Sequence, residues 1–160
     1  MFGYGTVQAA ACLVWMAGVT LRCSNRTPAG MKSAEETLDR AMGIMKRMIH
    51  VPINVVVAAF FTQAQLRDAR GDCRGAYESG CIALTVLEKY YGNGLPGDPA
   101  DRPLPSHPVA LVIISALVTY SEMDNKPRRA ESLSFKFQAL LPHFPLRCVD
   151  CVDCVFCCCL

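Results

Sequence analysis

An all-α protein, an α-solenoid of three antiparallel helical hairpins, is the fold class this sequence predicts. Three observations carry it. Strongly apolar runs alternate with amphipathic ones. Each amphipathic run opens on a helix-start signal. The connecting stretches between helices are marked by glycine and proline.

The three amphipathic helices come first, because their openings repeat. One begins Ser33-Ala34-Glu35-Glu36, where Ser33 fits an N-cap and Glu36 its reciprocal partner in a capping box. Leu38, Ala41, Met42, Met45, Met48 and Ile49 follow as a helical stripe. The second opens after Gly71-Asp72, with Asp72 as N-cap, and its stripe is Ala76, Ala83, Leu84, Leu87, Tyr90 and Tyr91. The third opens near Asn125-Lys126-Pro127, with proline suited to the first turn, and carries Ala130, Leu133, Phe137, Leu140 and Leu141 until Pro142 and Pro145 stop it.

A more apolar run precedes each: Val7–Leu21, Asn54–Arg67 and Val109–Ser121. Val55 to Phe61 is apolar throughout, which also fits a buried strand. The run continues into Gln63-Ala64-Gln65-Leu66, past ordinary strand length, and leads through a short polar turn into a capped helix. That favours helix, and a helix apolar all round belongs between two layers. Asn25 to Lys32 reads as a loop, and Gly92 to Pro108, with its glycines and prolines, as an extended linker inserted between the second and third units. The organisation expected is a helical-repeat domain over 1–145, with hairpins at about 7–50, 51–96 and 107–142, and a low-complexity tail over 146–160.

Composition bounds the function. The 160 residues are 52% hydrophobic and 19% charged, with a net charge of +2, too near neutral to argue for nucleic acid or membrane by itself. The run from Val7 to Leu21 is shorter than the roughly 20 apolar residues of a membrane span, and Met1 to Gln8 lacks the basic residues of a signal peptide. Ten cysteines are unevenly placed: Cys12, Cys23, Cys73 and Cys81 are scattered and the rest crowd the end. A secreted disulfide framework spreads its cysteines, so a reducing intracellular compartment is expected.

Aligned on Ala34-Glu35, Ala76-Tyr77-Glu78-Ser79 and Ala130-Glu131-Ser132, the units also share the apolar pairs Leu13-Val14, Phe60-Phe61 and Leu117-Val118. The third unit, Ile114-Ser115-Ala116-Leu117-Val118 through Asn125 to Arg129-Ala130-Glu131-Ser132-Leu133, resembles a pentatricopeptide repeat without gaps. Asn125 stands where that family usually has a turn glycine, and asparagine tolerates the left-handed conformation. Asp39-Arg40-Ala41-Met42 through His50-Val51-Pro52-Ile53-Asn54-Val55-Val56 resembles the passage from one repeat into the next. The first two units depart from the family's spacing by insertions in the turn. Tetratricopeptide-like repeats share the hairpin and the small residue on its second helix, and a generic helical bundle fits the same periodicity.

The resemblance implies a mitochondrial or plastid (chloroplast) protein that contacts single-stranded RNA. No transit peptide is visible at the start of the chain. The family's base-reading position falls here on Ala11, Ala58 and Ser115. Alanine offers no side-chain donor or acceptor, so only Ser115 can hydrogen-bond a base edge. Basic residues surround the turns inside the hairpins: Arg22, Arg26 and Lys32 at the first, Arg67, Arg70 and Arg74 at the second, and Lys126, Arg128 and Arg129 at the third. Stacked hairpins would align these along one edge as a stripe for phosphates, diluted by Asp68, Asp72, Glu122 and Asp124.

Little else points to chemistry. Cys148, Cys151, Cys154 and Cys157 repeat every third position, a spacing that holds zinc or an iron–sulfur cluster when a second pair faces it across a folded loop. That loop is missing from the tail, so no metal site and no cofactor are expected. His50, His107 and His143 lie at helix boundaries near proline and read as turn residues rather than bases. No glycine-rich phosphate loop or serine elbow is present, and an enzyme is not expected. The expectation is a helical-repeat binding module that contacts organellar RNA with little sequence selectivity. The alternative is a protein–protein scaffold, with a protein partner or a second copy docking on exposed end helices. No membrane partner is expected.

Overall fold

The structure, a computed structural model, describes residues 3–91, 97–101, 103–104 and 107–143. It is all-helical over these residues. Six α-helices follow in order: α1 (Gly3–Cys23), α2 (Pro28–Met45), α3 (Ile53–Ala69), α4 (Cys73–Tyr91), α5 (Pro108–Met123) and α6 (Pro127–Leu140). A single 3-10 turn, Leu141–His143, containing Pro142, closes the described chain. The apolar runs are helices, among the described residues no strand is present, and the cysteine tail lies outside those residues.

Helix starts explain most boundaries. Asp72 Oδ1 accepts the Gly75 N–H at 2.9 Å, satisfying one of the orphan donors that begin α4. Pro127 occupies the first turn of α6, and Pro108 that of α5. The capping box at Ser33 and Glu36 is not formed. Helix α2 starts earlier, at Pro28, because Thr27 is the cap: its Oγ1 accepts the Gly30 N–H at 3.2 Å. Proline's fixed φ suits the first helical position, so the expected loop of 25–32 shrinks to a turn. Ser33 instead lies inside the helix, its carbonyl accepting from Thr37 Oγ1. The stripe also ends sooner than its sequence suggests, since α2 stops at Met45 and Ile49 is 93% exposed beyond it.

Two of the turns are built alike. After α3, the Gly71 N–H reaches the Asp68 carbonyl and the Asp72 N–H the Arg67 carbonyl, with Gly71 at φ 79°. After α5, the Asn125 N–H reaches Glu122 and the Lys126 N–H reaches Ser121, with Asn125 at φ 54°. Both are Schellman motifs with a left-handed residue just past the helix, and in both the next helix begins two residues later. The turn after α1 differs, with Asn25 and Arg26 both at positive φ.

Packing follows chain order. Helices pair as α1 with α2, α3 with α4 and α5 with α6, while α1 and α2 also meet α3, and α4 meets α5. Helix α3 is the shared element. Val55 and Ala59 join Ala10, Val14, Leu38 and Ala41 in one apolar cluster. Val57, Phe61 and Ala64 join Leu84, Ile114, Leu117 and Leu133 in the larger one. An all-apolar surface on α3 is thus buried on two sides, as its sequence requires. Helix α1 is not so enclosed: Trp15 and Met16 are 62% and 56% exposed. Its segment Thr6–Cys23 is long and apolar enough to cross a membrane by length and composition, although the Val7–Leu21 run alone reads as too short. Tyr90 and Tyr91, expected on the buried stripe of α4, are likewise exposed at its end.

Candidate functional site

The turn ends of α1 to α4 converge, and their basic residues meet acids. Arg26 Nη2 lies 3.1 Å from Asp68 Oδ2, joining the first turn to the end of α3. Arg70 makes a two-pronged pair with Glu35 of α2. That hydrogen bond holds the Glu35 carboxyl below the usual carboxylate range and the Arg70 guanidinium above its own. Arg67 Nη1 donates to the Gly75 carbonyl at 3.1 Å, across the second turn. Arg74 pairs with Glu78 at 3.3 Å and Lys32 with Glu36 at 3.9 Å, both one helical turn apart. A groove between α2, α3 and α4 is accordingly lined by both signs, with Glu35, Asp39 and Asp72 facing Arg67, Arg70 and Arg74.

The third turn lies within electrostatic reach of the first two. Burial, and then the nearby Asp68 charge, pushes the Tyr120 phenol of α5 well above its ordinary range, and Arg26 partly offsets this. Lys126 and Arg128 are exposed, as is Arg22 at the end of α1. Arg129 is different. Its Nε lies 3.4 Å from Asp98 Oδ2, and its guanidinium carbon sits 4.4 Å from the centre of the Tyr77 ring.

The family-implied base-reading positions divide. Ala11 and Ala58 pack against the α1–α2–α3 cluster, while Ser115 stands exposed on α5, its carbonyl accepting from Thr119 Oγ1 at 3.4 Å. Phe61 belongs to the larger core and Phe60 packs against it. His107 caps α5, its Nδ1 accepting the Val109 N–H at 3.2 Å, and its ring lies 4.5 Å from Tyr91. Burial lowers its pKa.

Sequence reasoning missed a second cluster, around the linker. The described part of 92–108 is not a free spacer. Tyr77 Oη donates to Asp98 Oδ1 at 2.7 Å, and the Ala100 N–H donates to the same oxygen at 2.9 Å. Ser132 Oγ donates to the Ala100 carbonyl at 2.6 Å, and Lys136 Nζ to the Pro99 carbonyl at 2.8 Å and to that of Ala100. Pro99 and Ala100 are buried. Burial, and then the hydrogen bond to Asp98, drives the Tyr77 phenol far above its ordinary range. An Asp-Pro dipeptide favours a turn, and that was the available signal; the donors on α4 and α6 carry none in sequence.

Among the described residues no group of three or more His, Cys, Asp or Glu side chains is placed to hold a metal ion. Cys148, Cys151, Cys154 and Cys157 lie outside those residues. Searches of protein-family models, curated proteins and solved structures find no match to this chain.

Proposed function

We propose that this chain is a helical-repeat binding module, a short solenoid of pentatricopeptide-like hairpins, and that it works as a protein–protein scaffold. Contacts that follow chain order, the sharing of α3 between two cores and the matching turns after α3 and α5 support the repeat reading. One observation carries the choice of partner. Arg26, Lys32, Arg70, Arg74 and Arg129 of the basic turns are each engaged by a carboxylate. A phosphate must compete with those acids for each cation and is repelled by them, so the edge is a poor anion stripe.

A second reading, weak RNA contact, is favoured by Lys126 and Arg128, exposed and without an ion pair among the described residues, and by Ser115. Titration of several single-stranded RNAs at two salt concentrations separates the two. The scaffold reading expects no binding even at the lower salt concentration, whereas the RNA reading expects weak, steeply salt-dependent binding with no sequence preference. Weak, salt-dependent binding overturns the scaffold reading, and salt-insensitive binding or a strong preference for one RNA overturns both.

A further inference from the structure

The Asp98 turn is held by a set of donors whose acceptors belong to one short peptide segment. From α4 comes the Tyr77 hydroxyl; from α6 come the donors Ser132 and Lys136 and, as an ion pair, Arg129, spaced along one face at intervals of three and four residues. Their targets are the Asp98 carboxylate and the carbonyls of Pro99 and Ala100. The segment itself is preorganised: Asp98 Oδ1 accepts the Ala100 N–H, and the Asp101 N–H returns to the Asp98 carbonyl at 2.9 Å. The Ala100 methyl enters the larger apolar core, 8% exposed. Charge, shape and backbone are thus all read: an aspartate, a proline and then a residue small enough to bury. The Lys136 ammonium gives the carbonyls charge-assisted hydrogen bonds, roughly twice as strong as neutral ones, and Arg129 adds an ion pair to the carboxylate at 3.4 Å.

We propose that the cleft between α4 and α6 is a docking site for Asp-Pro-bearing acidic peptide segments of a partner protein, occupied in this structure by residues 98–100 of the chain itself. The inference deepens the protein-partner reading and rests on it. The occupant already seated in the cleft defines the partner's chemistry. A tethered segment acts at an effective concentration on the order of millimolar, so it masks the cleft against a free peptide of the same sequence. Loosening the tethered copy unmasks it.

The test uses the full chain and a labelled synthetic peptide with the sequence of residues 96–102. The Asp98→Ala chain is expected to bind it at least about tenfold more tightly than the native chain, through the masking just described. Adding Arg129→Ala, or replacing the peptide's aspartate by asparagine, is expected to abolish that gain. Equal binding to native and Asp98→Ala chains, no binding to either, or indifference to the peptide's aspartate overturns the proposal. Should the Asp98→Ala chain fail to fold, hydrogen exchange of the native Ala100 amide decides. Excess peptide accelerates that exchange if it displaces the tethered segment, and an unchanged rate overturns the proposal. RNA titration reads the basic turns, of which only Arg129 lies in the cleft, and the peptide assay reads the cleft alone, so the scaffold reading and the cleft can fail separately.

Discussion

Arg26 Nη2 stands 3.1 Å from Asp68 Oδ2, and this contact ties the first turn to the last turn of α3. Arg26 is largely exposed, but the Asp68 side chain is only 11% exposed, and its Oδ1 is buried with no hydrogen-bond partner among the described residues. Removing the cation therefore strands a buried carboxylate. Such a group costs roughly 1–3 kcal/mol. Arg26→Met is expected to lower the thermal midpoint by about 2–4 °C per kcal/mol lost. Asp68→Asn on that background is expected to recover much of the loss, because the orphaned charge is gone. An unchanged midpoint for Arg26→Met would mean that solvent screens the pair as it does ordinary surface pairs.

His107 gives α5 a pH-dependent start. Its Nδ1 accepts the Val109 N–H, which requires that nitrogen to be unprotonated, and burial lowers the pKa from 6.5. The folded state therefore binds this proton less readily than the unfolded state. The histidine's contribution is complete above 6.5 and is lost as pH falls toward and through the folded value. Urea unfolding at about pH 7.5 and about pH 5.5 should show lower stability at the acid end. His107→Asn, a cap that does not titrate in this range, should flatten that difference. A slope unchanged by the substitution would assign it to other groups.

Helices were legible where one residue type decided the backbone. Pro52, Asp72, Pro108, Pro127 and Pro142 all mark helix boundaries in sequence and in structure. Thr27 shows the limit: it and Ser33 both fit an N-cap, and only the proline after Thr27 distinguishes them. Burial was less legible than helicity. The apolar surface of α3 is covered on two sides and that of α1 is not, although the sequences read alike, because α3 packs against α1, α2 and α4 whereas α1 packs chiefly against α2 and α3. The linker cluster was hidden for a different reason. Tyr77, Asp98 and Ser132 are far apart in the chain, and nothing local in a polar segment says which distant donors meet it. The basic turns were found, but their acids, Glu35 and Asp68, come from neighbouring helices.

The matching turns after α3 and α5 predict opposite responses to substitution. Gly71 sits at φ 79°, where an added side chain crowds the carbonyl; left-handed backbone costs an L-residue roughly 1–2 kcal/mol. Gly71→Ala is expected to destabilise by about 1 kcal/mol. Asn125 already carries part of that strain at φ 54°. Asn125→Gly is expected to gain a few tenths of a kcal/mol, less than the first change loses, because asparagine tolerates this region and glycine adds unfolded-state entropy. Denaturant midpoints measured at constant slope give both values. A loss on Asn125→Gly would mean that its side chain, not its backbone, holds the turn.

Two helical glycines, one of them at the contact between α4 and α5, answer the same substitution oppositely. A Cβ built on Gly80 would lie 2.7 Å from Leu117 Cδ2, inside van der Waals contact. Leu117 is fully buried in the larger core and cannot swing into solvent. Gly80→Ala therefore forces α4 and α5 apart or drives Leu117 from its rotamer, an overpacking cost of roughly 1–3 kcal/mol. Gly43, inside α2, meets nothing within 4 Å. There alanine only lowers the entropy of the unfolded chain and raises helix propensity, and the change should stabilise by about 0.5–1 kcal/mol. The same substitution thus carries opposite signs in two helices. Leu117→Ala together with Gly80→Ala should lose less than the sum of the two single changes, since the smaller side chain makes room for the new methyl. If Gly80→Ala proves neutral, the close approach of α4 to Leu117 is absent in solution, and the order of packing from α3 to α6 must be redrawn.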